Sequence, residues 1–378
     1  MPAVIAGALL SAALAVHLAT GYGARQAALL LVGLAAGVVL YHAAFGFTWA
    51  WREFAASRRG AGLRAQMVML AAAVVIVLPL LAVGTVGEQS LRGAVAPLGV
   101  AVVLGAFLFG IGMQLGGGCA SGTLFTAGGG SSRMVITLAA FIAGSVIGAW
   151  HMPLWQQAPS LAPVSLLVAF GAPGAIALSL LLFAAVWTLT VSLERRRHGE
   201  VLSIRDGHGS WLRGPWPLVA GALGLAGIQV ATLLLAGRPW GVTGAFALWG
   251  SKLVALGGVD VAAWPYWQRP NAAAALADSV FADVTSVMNF GIVLGALTAS
   301  GFAGRFAPVF RIPLPHVLAA VIGGLLLGYG ARLAYGCNIG AYFGGIASSS
   351  LHGWLWFVAA FAGSALGTRM RPWFRLAA

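Results

Sequence analysis

Gly110–Gly122 reads G-I-G-M-Q-L-G-G-G-C-A-S-G, and Gly328–Gly340 reads G-Y-G-A-R-L-A-Y-G-C-N-I-G. At a fixed offset of 218 residues (337 − 119), Gly110, Gly112, Leu115, Gly118, Cys119 and Gly122 find Gly328, Gly330, Leu333, Gly336, Cys337 and Gly340. The chain's 2 cysteines both lie in this repeated phrase. Self-similarity at a fixed distance marks an internal repeat. The glycine run of the first copy, Gly116-Gly117-Gly118, cannot continue a stable helix, because each glycine costs roughly 0.5–1 kcal/mol relative to alanine in a helix interior. Irregular backbone survives at membrane depth only where protein or a watery cavity satisfies it. The repeat therefore predicts two broken helices lining a cavity, with short helices that start beyond the glycines and aim their N-termini, and a partial positive charge, inward. A tightly packed glycine-rich helix contact is the bland alternative.

The surrounding chain is membrane-spanning. Of 378 residues, 60% are hydrophobic and 8% charged, and mean hydropathy is +0.93. A soluble domain carries about 25% charged residues. Apolar runs near the ~20 residues needed to cross a bilayer recur throughout. They do not alternate as barrel strands do. We place ten spans at about 3–20, 27–45, 65–84, 94–113, 134–150, 173–193, 216–236, 285–303, 316–334 and 352–370. The first lacks a positive leader region and a clear cleavage site, so it reads as a span and not a signal peptide.

The net charge of +13 is no sign of nucleic-acid binding. Its arginines gather in Arg52–Arg64, Arg195–Arg213, Arg305–Arg311 and Arg369–Arg375, between the apolar runs. With ten crossings all four segments share one face, which the positive-inside rule assigns to the cytoplasm together with both termini. Cys119 and Cys337 then follow spans that run in opposite directions. The expected fold is an all-α integral membrane protein of about ten transmembrane helices plus re-entrant short helices, in two inverted pseudo-twofold repeats. Broken elements meeting near the midplane are the common plan of secondary transporters. The halves are 1–193 and 216–378, joined by a cytoplasmic linker, 194–215, with no separate domain.

Two weaker repeats support this plan. Phe45-Gly46-Phe47-Thr48 resembles Trp240-Gly241-Val242-Thr243, and Ala143-Gly144-Ser145 matches Ala362-Gly363-Ser364. Small residues four apart let membrane helices approach closely.

The candidate substrate-binding residues are Cys119, Cys337, Gly118, Gly336, Gly122, Gly340, Gln114, Arg332, Asn338, Thr48 and Thr243. A free cysteine is usually a small buried hydrophobe. Repeat equivalence favours a substrate-lining role here. A thiol donates a weak hydrogen bond to a soft acceptor. It can also carry a persulfide, form a disulfide or bind a soft metal ion. Arg332 lies five residues before Cys337, where its repeat partner is Gln114. An ionisable residue within a span is a functional candidate, the alternative being that it snorkels or pairs with a carbonyl. Arg133 reads as a surface residue, and His352, Trp354 and Trp356 as an interfacial belt. No carboxylate falls clearly within a span, no phosphate-cradling motif occurs, and no cofactor or resident metal is expected.

At these motifs the chain resembles the YeeE/YedE family of inner-membrane proteins, associated with thiosulfate and related sulfur transport. The strongest match is Gly328–Arg371, including Gly-Ala-Arg-Leu-Ala-Tyr-Gly-Cys-Asn-Ile-Gly and Ala347-Ser348-Ser349-Ser350-Leu351-His352-Gly353-Trp354; Gly110–Gly130 is similar to the family's other cysteine motif. The resemblance implies an hourglass-shaped helical fold in a bacterial inner membrane. It implies that Cys119 and Cys337 pass thiosulfate, or a similar soft sulfur anion, by weak S–H···S contacts. It also implies a small cytoplasmic sulfur-carrier protein as a partner. Some members carry a further cysteine where this chain has Gly46. A membrane sulfurtransferase holding persulfide on Cys119 or Cys337, and a transporter of a selenium compound or soft metal, are the rival readings. The sulfurtransferase would need an activating group beside an exposed thiolate.

Overall fold

The structure, a computed structural model, describes residues 1–207 and 209–377; Ala378, expected on the cytoplasmic face, lies outside the described residues. Its helices are α1 (Pro2–Gly21), α2 (Ala24–His42), α3 (Phe47–Ser57), α4 (Ala61–Val83), α5 (Val100–Gly116), α6 (Ala120–Gly128), α7 (Ser132–Trp150), α8 (Met152–Gln156) and α9 (Leu166–His198). They continue with α10 (Leu218–Ala236), α11 (Thr243–Leu256), α12 (Pro270–Ala277), α13 (Val284–Phe302), α14 (Leu314–Leu333), α15 (Gly344–Ala347) and α16 (Leu351–Met370). A wide helical turn, Asn338–Phe343, precedes α15. Among the described residues the strands are two-residue pieces, β1 (Thr85–Val86) with β2 (Gln89–Ser90) and β3 (Leu98–Gly99) with β4 (Ser160–Leu161).

Every expected span falls on a helix. Among the described residues, 9 segments are long and apolar enough to cross a membrane, with mean hydropathy from 1.4 to 2.6. The tenth expected span, α16, is a helix of 20 residues. It is not among the nine, because His352, Trp354, Trp356 and its small residues dilute its hydropathy. Three of the nine segments, Ala24–Ser57, Val100–Gly128 and Leu314–Ala347, join a long helix to a short one. They are the broken helices.

The breaks have local causes. Gly117 ends α5 at φ 93°, a left-handed conformation that glycine adopts without strain. At the second break Gly336 sits at φ 149°, and a Cβ there would lie 2.9 Å from the Ala341 nitrogen. Beyond each break the chain restarts as a helical turn.

The glycines between helices set the packing. α5 lies on α16, and α14 on α7. A Cβ on Gly110 would run into the Ala360 carbonyl, and one on Gly363 into the Phe107 carbonyl. In the other pair, a Cβ on Gly328 would meet the Phe141 carbonyl and one on Gly144 the Leu325 carbonyl. Backbone-to-backbone approach of this kind replaces the hydrophobic drive that lipid cannot supply. Close helix contacts are thus made at Gly110, Gly144, Gly328 and Gly363.

The end of α9 overlaps the start of the expected linker. α9 runs through His198, past the expected start of the linker at 194. Glu194, expected outside the spans, is fully buried in its last turns. It accepts from Arg64 at 2.7 Å and from the Gly60 and Leu202 N–H groups. A buried carboxylate needs such partners, since the unpaired charge would cost several kcal/mol. Glu194 pins the linker to α4.

Candidate functional site

Four short elements begin near the centre of the protein, and each carries a predicted site residue at its start. Cys119 is the N-cap of α6, and its Sγ accepts the Gly122 N–H at 3.4 Å. The Ser121 hydroxyl lies 3.4 Å from the same sulfur. Cys337 precedes the wide turn, whose Ala341 and Tyr342 N–H groups both reach the Cys337 carbonyl, at 2.8 and 3.3 Å. Such widened turns recur at functional sites. Thr48 stands in the first turn of α3 and Thr243 opens α11. α6 touches the turn that follows Cys337.

Two residues at equivalent positions of the repeat brace the two threonine helices. Gln114 donates from Nε2 to the Thr48 carbonyl at 3.0 Å and to Ser364 Oγ at 2.7 Å. Arg332 donates to Thr243 Oγ1 at 2.7 Å and to the Tyr266 hydroxyl at 2.8 Å. Arg332 is buried and pairs with no carboxylate; the ion pairs among the described residues join Arg59 and Arg64 to Glu194 and Glu200. It neither snorkels nor settles on a carbonyl. It is a buried cation beside a helix N-terminus, where electrostatics already favours an anion.

A cavity of about 480 Å³ brings together Thr48, Gly118, Cys119 and Gly122, with Gly46 and Trp216 on its wall. Gly46 is open: a Cβ there would find only ordinary contacts, the nearest at 3.5 Å from Trp49 Cβ. Cys337 is buried with 0% exposure. Gly340 faces Gly241 at the start of the other threonine element, where a Cβ would be 4.0 Å from the Gly241 Cα.

Several buried polar atoms at this centre have no partner among the described residues. They are Thr48 Oγ1, Gln114 Oε1, Arg332 Nε, both amide atoms of Asn338 and the Trp240 indole N–H. A buried polar group left unmade costs about 1–3 kcal/mol. Lying beside the starts of α3, α11 and the wide turn, these atoms can accept a polar ligand.

The sequence reading missed other supports. Asn289 donates to the Val242 carbonyl at 2.9 Å, and Gln229 accepts the Trp240 N–H at 3.2 Å. Gln66 accepts from the Trp51 indole at 3.0 Å. Each is a lone amide in an apolar span, a signal that points to interhelical hydrogen bonding. Arg371 donates to the Gln114 carbonyl at 2.7 Å, and Arg133 to the Leu115 carbonyl, so both cap the C-terminus of α5. Arg133 is thus half-buried. His352 is buried with Nδ1 2.7 Å from Ser350 Oγ. No group of three or more metal-ligating side chains occurs among the described residues.

Apolar segments long enough to cross a membrane, two of them broken beside a cavity that Cys119 borders, define a multi-pass membrane protein. The chain belongs to the sulphur transport family, whose model matches residues 42–366. It is 32% identical over 171 residues to a protein described as a "probable transporter", YedE of Escherichia coli strain K12. That alignment covers 44% of this chain and 41% of YedE, so the chain spans less than half the length of that relative. It is 26% identical over 351 residues to the thiosulfate transporter TsuA of Spirochaeta thermophila, covering 86% of this chain and 93% of that one. The thiosulfate transporter TsuA of E. coli K12 is 24% identical over 356 residues, covering 87% and 90%.

Proposed function

We propose that this chain imports thiosulfate, or a closely similar soft sulfur anion, through the centre where Cys119 and Cys337 cap opposed helical elements. The carrying observation is Arg332, a buried guanidinium without a carboxylate, beside the start of α11 and five residues from Cys337. A dianion at membrane depth needs compensation. Helix N-termini supply about half a charge each, and Arg332 adds a full one. The thiols supply selectivity, because S–H is a weak donor suited to a soft sulfur acceptor and a poor match for a strongly hydrated oxygen. The candidate residues divide accordingly. Cys119, Cys337 and Asn338 face the ion; Gly118, Gly122, Gly336 and Gly340 keep the backbone close; Gln114, Arg332, Thr48 and Thr243 fix the helix starts.

The two halves are inverted repeats on this reading. The paired glycine contacts, Gly110 with Gly328 and Gly363 with Gly144, support it, as do the parallel roles of Gln114 and Arg332. The arginine-rich segments and both termini face the cytoplasm of a bacterium whose inner membrane holds the protein. A small cytoplasmic sulfur carrier is the expected recipient. The sulfur of Cys119 meets a hydroxyl and an amide and no activating base, which favours transport over sulfur transfer.

The test is uptake of radiolabelled thiosulfate by cells expressing the chain, with soft-metal and selenium-compound uptake measured in parallel. Saturable thiosulfate uptake above the vector control is expected. Uptake of a metal ion alone, with protein present in the membrane, would refute the assignment.

A further inference from the structure

The second glycine run, Gly128-Gly129-Gly130, is not used at the cysteine centre. Gly129 and Gly130 instead line a separate cavity of about 450 Å³. Gly130 sits at φ 103°, and a Cβ there would touch the Phe306 ring at 3.1 Å. A Cβ on Gly129 would lie 2.7 Å from the Tyr41 ring. Side chains at these two positions would fill the space.

The cavity is cationic. Arg133, Arg305 and Arg311 line it with Ser131, Ser132 and His316, and no carboxylate does. Arg305 and Arg311 form no ion pair among the described residues. α7 starts in its wall, and its N-cap Ser131 makes no side-chain cap. The neighbourhood is crowded with positive charge: burial, with Arg52 and Arg133 near, pulls Arg371 down to about 10. Tyr41, Phe125 and Thr126 line both this cavity and the Cys119 cavity. An anion leaving Cys119 toward the arginine-rich face meets these guanidiniums next.

We infer that this cavity is a second anion site, which takes a tetrahedral oxyanion of the sulfate or thiosulfate type between Arg133, Arg305, Arg311 and the start of α7. The inference rests on the transport reading for its role as an exit station, while its binding chemistry stands on the cavity alone. Guanidiniums and helix N–H groups are the standard recognisers of such oxyanions. A lipid phosphate carries the same chemistry and is the competing source.

The experiment measures binding of inorganic sulfate by calorimetry to the purified full-length protein in nanodiscs of neutral lipid. Arg305→Gln/Arg311→Gln is expected to weaken sulfate binding about tenfold, since two of three guanidiniums are lost. Arg305→Lys/Arg311→Lys keeps the charges and is expected to recover most of the affinity. Cys119→Ala/Cys337→Ala protein should still bind sulfate here, so failure of the thiosulfate centre and failure of this site are separable. Equal sulfate affinity in the glutamine variant would overturn the site. Competitive displacement of sulfate by phosphatidylglycerol at bilayer proportions would make lipid phosphate the occupant and overturn the exit role. Persistence of sulfate binding in phosphatidylglycerol nanodiscs supports it.

Discussion

Cys119 caps a regular helix, takes an N–H on its sulfur at 3.4 Å and lines an open cavity. Cys337 starts a widened turn, carries no side-chain cap and is sealed at 0% exposure. Upstream, the first motif braces its threonine helix with a neutral amide, Gln114, and the second with a guanidinium, Arg332. The repeat keeps its glycines and cysteines and differs in the turn that follows them and in charge. A symmetric pore would hold its ion equally from both sides. Here the fixed cation sits at the Cys337 end and the open chamber at the Cys119 end. On the proposed transport reading, attraction and release fall to different halves.

The largest effect tests whether the two packing seams are truly equivalent. Gly110→Leu and Gly328→Leu each place a side chain against a carbonyl that cannot move aside. Overpacking costs about 1–3 kcal/mol, and more where the blocking atom is backbone. Both variants should fail to yield monodisperse protein on size-exclusion chromatography. A well-behaved Gly328→Leu beside a lost Gly110→Leu breaks the equivalence.

Next comes the charge difference. Arg332→Gln copies Gln114 and should raise the KM for thiosulfate about tenfold, the scale of one charge-assisted contact. Arg332→Lys should recover part of this, because the point charge survives while the fork to Thr243 and Tyr266 does not. An unchanged KM in Arg332→Gln across a full concentration series makes Arg332 structural.

Both thiols are buried, at 2% and 0% exposure, but Cys119 borders the 480 Å³ cavity, which predicts a smaller, kinetic contrast. A small methanethiosulfonate reagent should modify Cys119 on the order of ten times faster than Cys337, read in the two single-cysteine proteins, because access controls thiol reaction. Equal rates contradict a sealed Cys337. The least perturbing change is Gly46→Cys. With its nearest contact at 3.5 Å, it should alter stability by less than about 1 kcal/mol and add a thiol to the Cys119 chamber. A large drop in melting temperature shows that the chamber wall at Gly46 is closed.

What was legible in the sequence follows the kind of force involved. Apolar length located nine of the ten expected spans, since bilayer thickness sets it. The glycine run at 116–118 located the first break, because glycine cannot sustain the helix. Repeat spacing alone brought Gln114, Thr48, Arg332 and Thr243 into consideration, and the structure pairs them as Gln114 with Thr48 and Arg332 with Thr243. Pairings made by the tertiary fold were not legible. Nothing local says that Glu194 will be buried against Arg64, that Asn289 will hold the Val242 carbonyl, or that Arg371 will cap α5 from the far end of the chain. The widened turn after Cys337 was read as an ordinary short helix, because one extra residue per turn leaves no mark in hydropathy.

The central claim is that the ion passes both thiols. Purified wild-type, Cys119→Ala and Cys337→Ala proteins, reconstituted in liposomes, should be compared for uptake of radiolabelled thiosulfate against an imposed gradient of the ion. Wild type should transport saturably, while each alanine variant, equally folded by thermal melting, should fall to the protein-free background. Uptake by Cys119→Ala/Cys337→Ala protein at the wild-type rate would contradict the account, leaving the helix ends and Arg332 to move the anion without the cysteines.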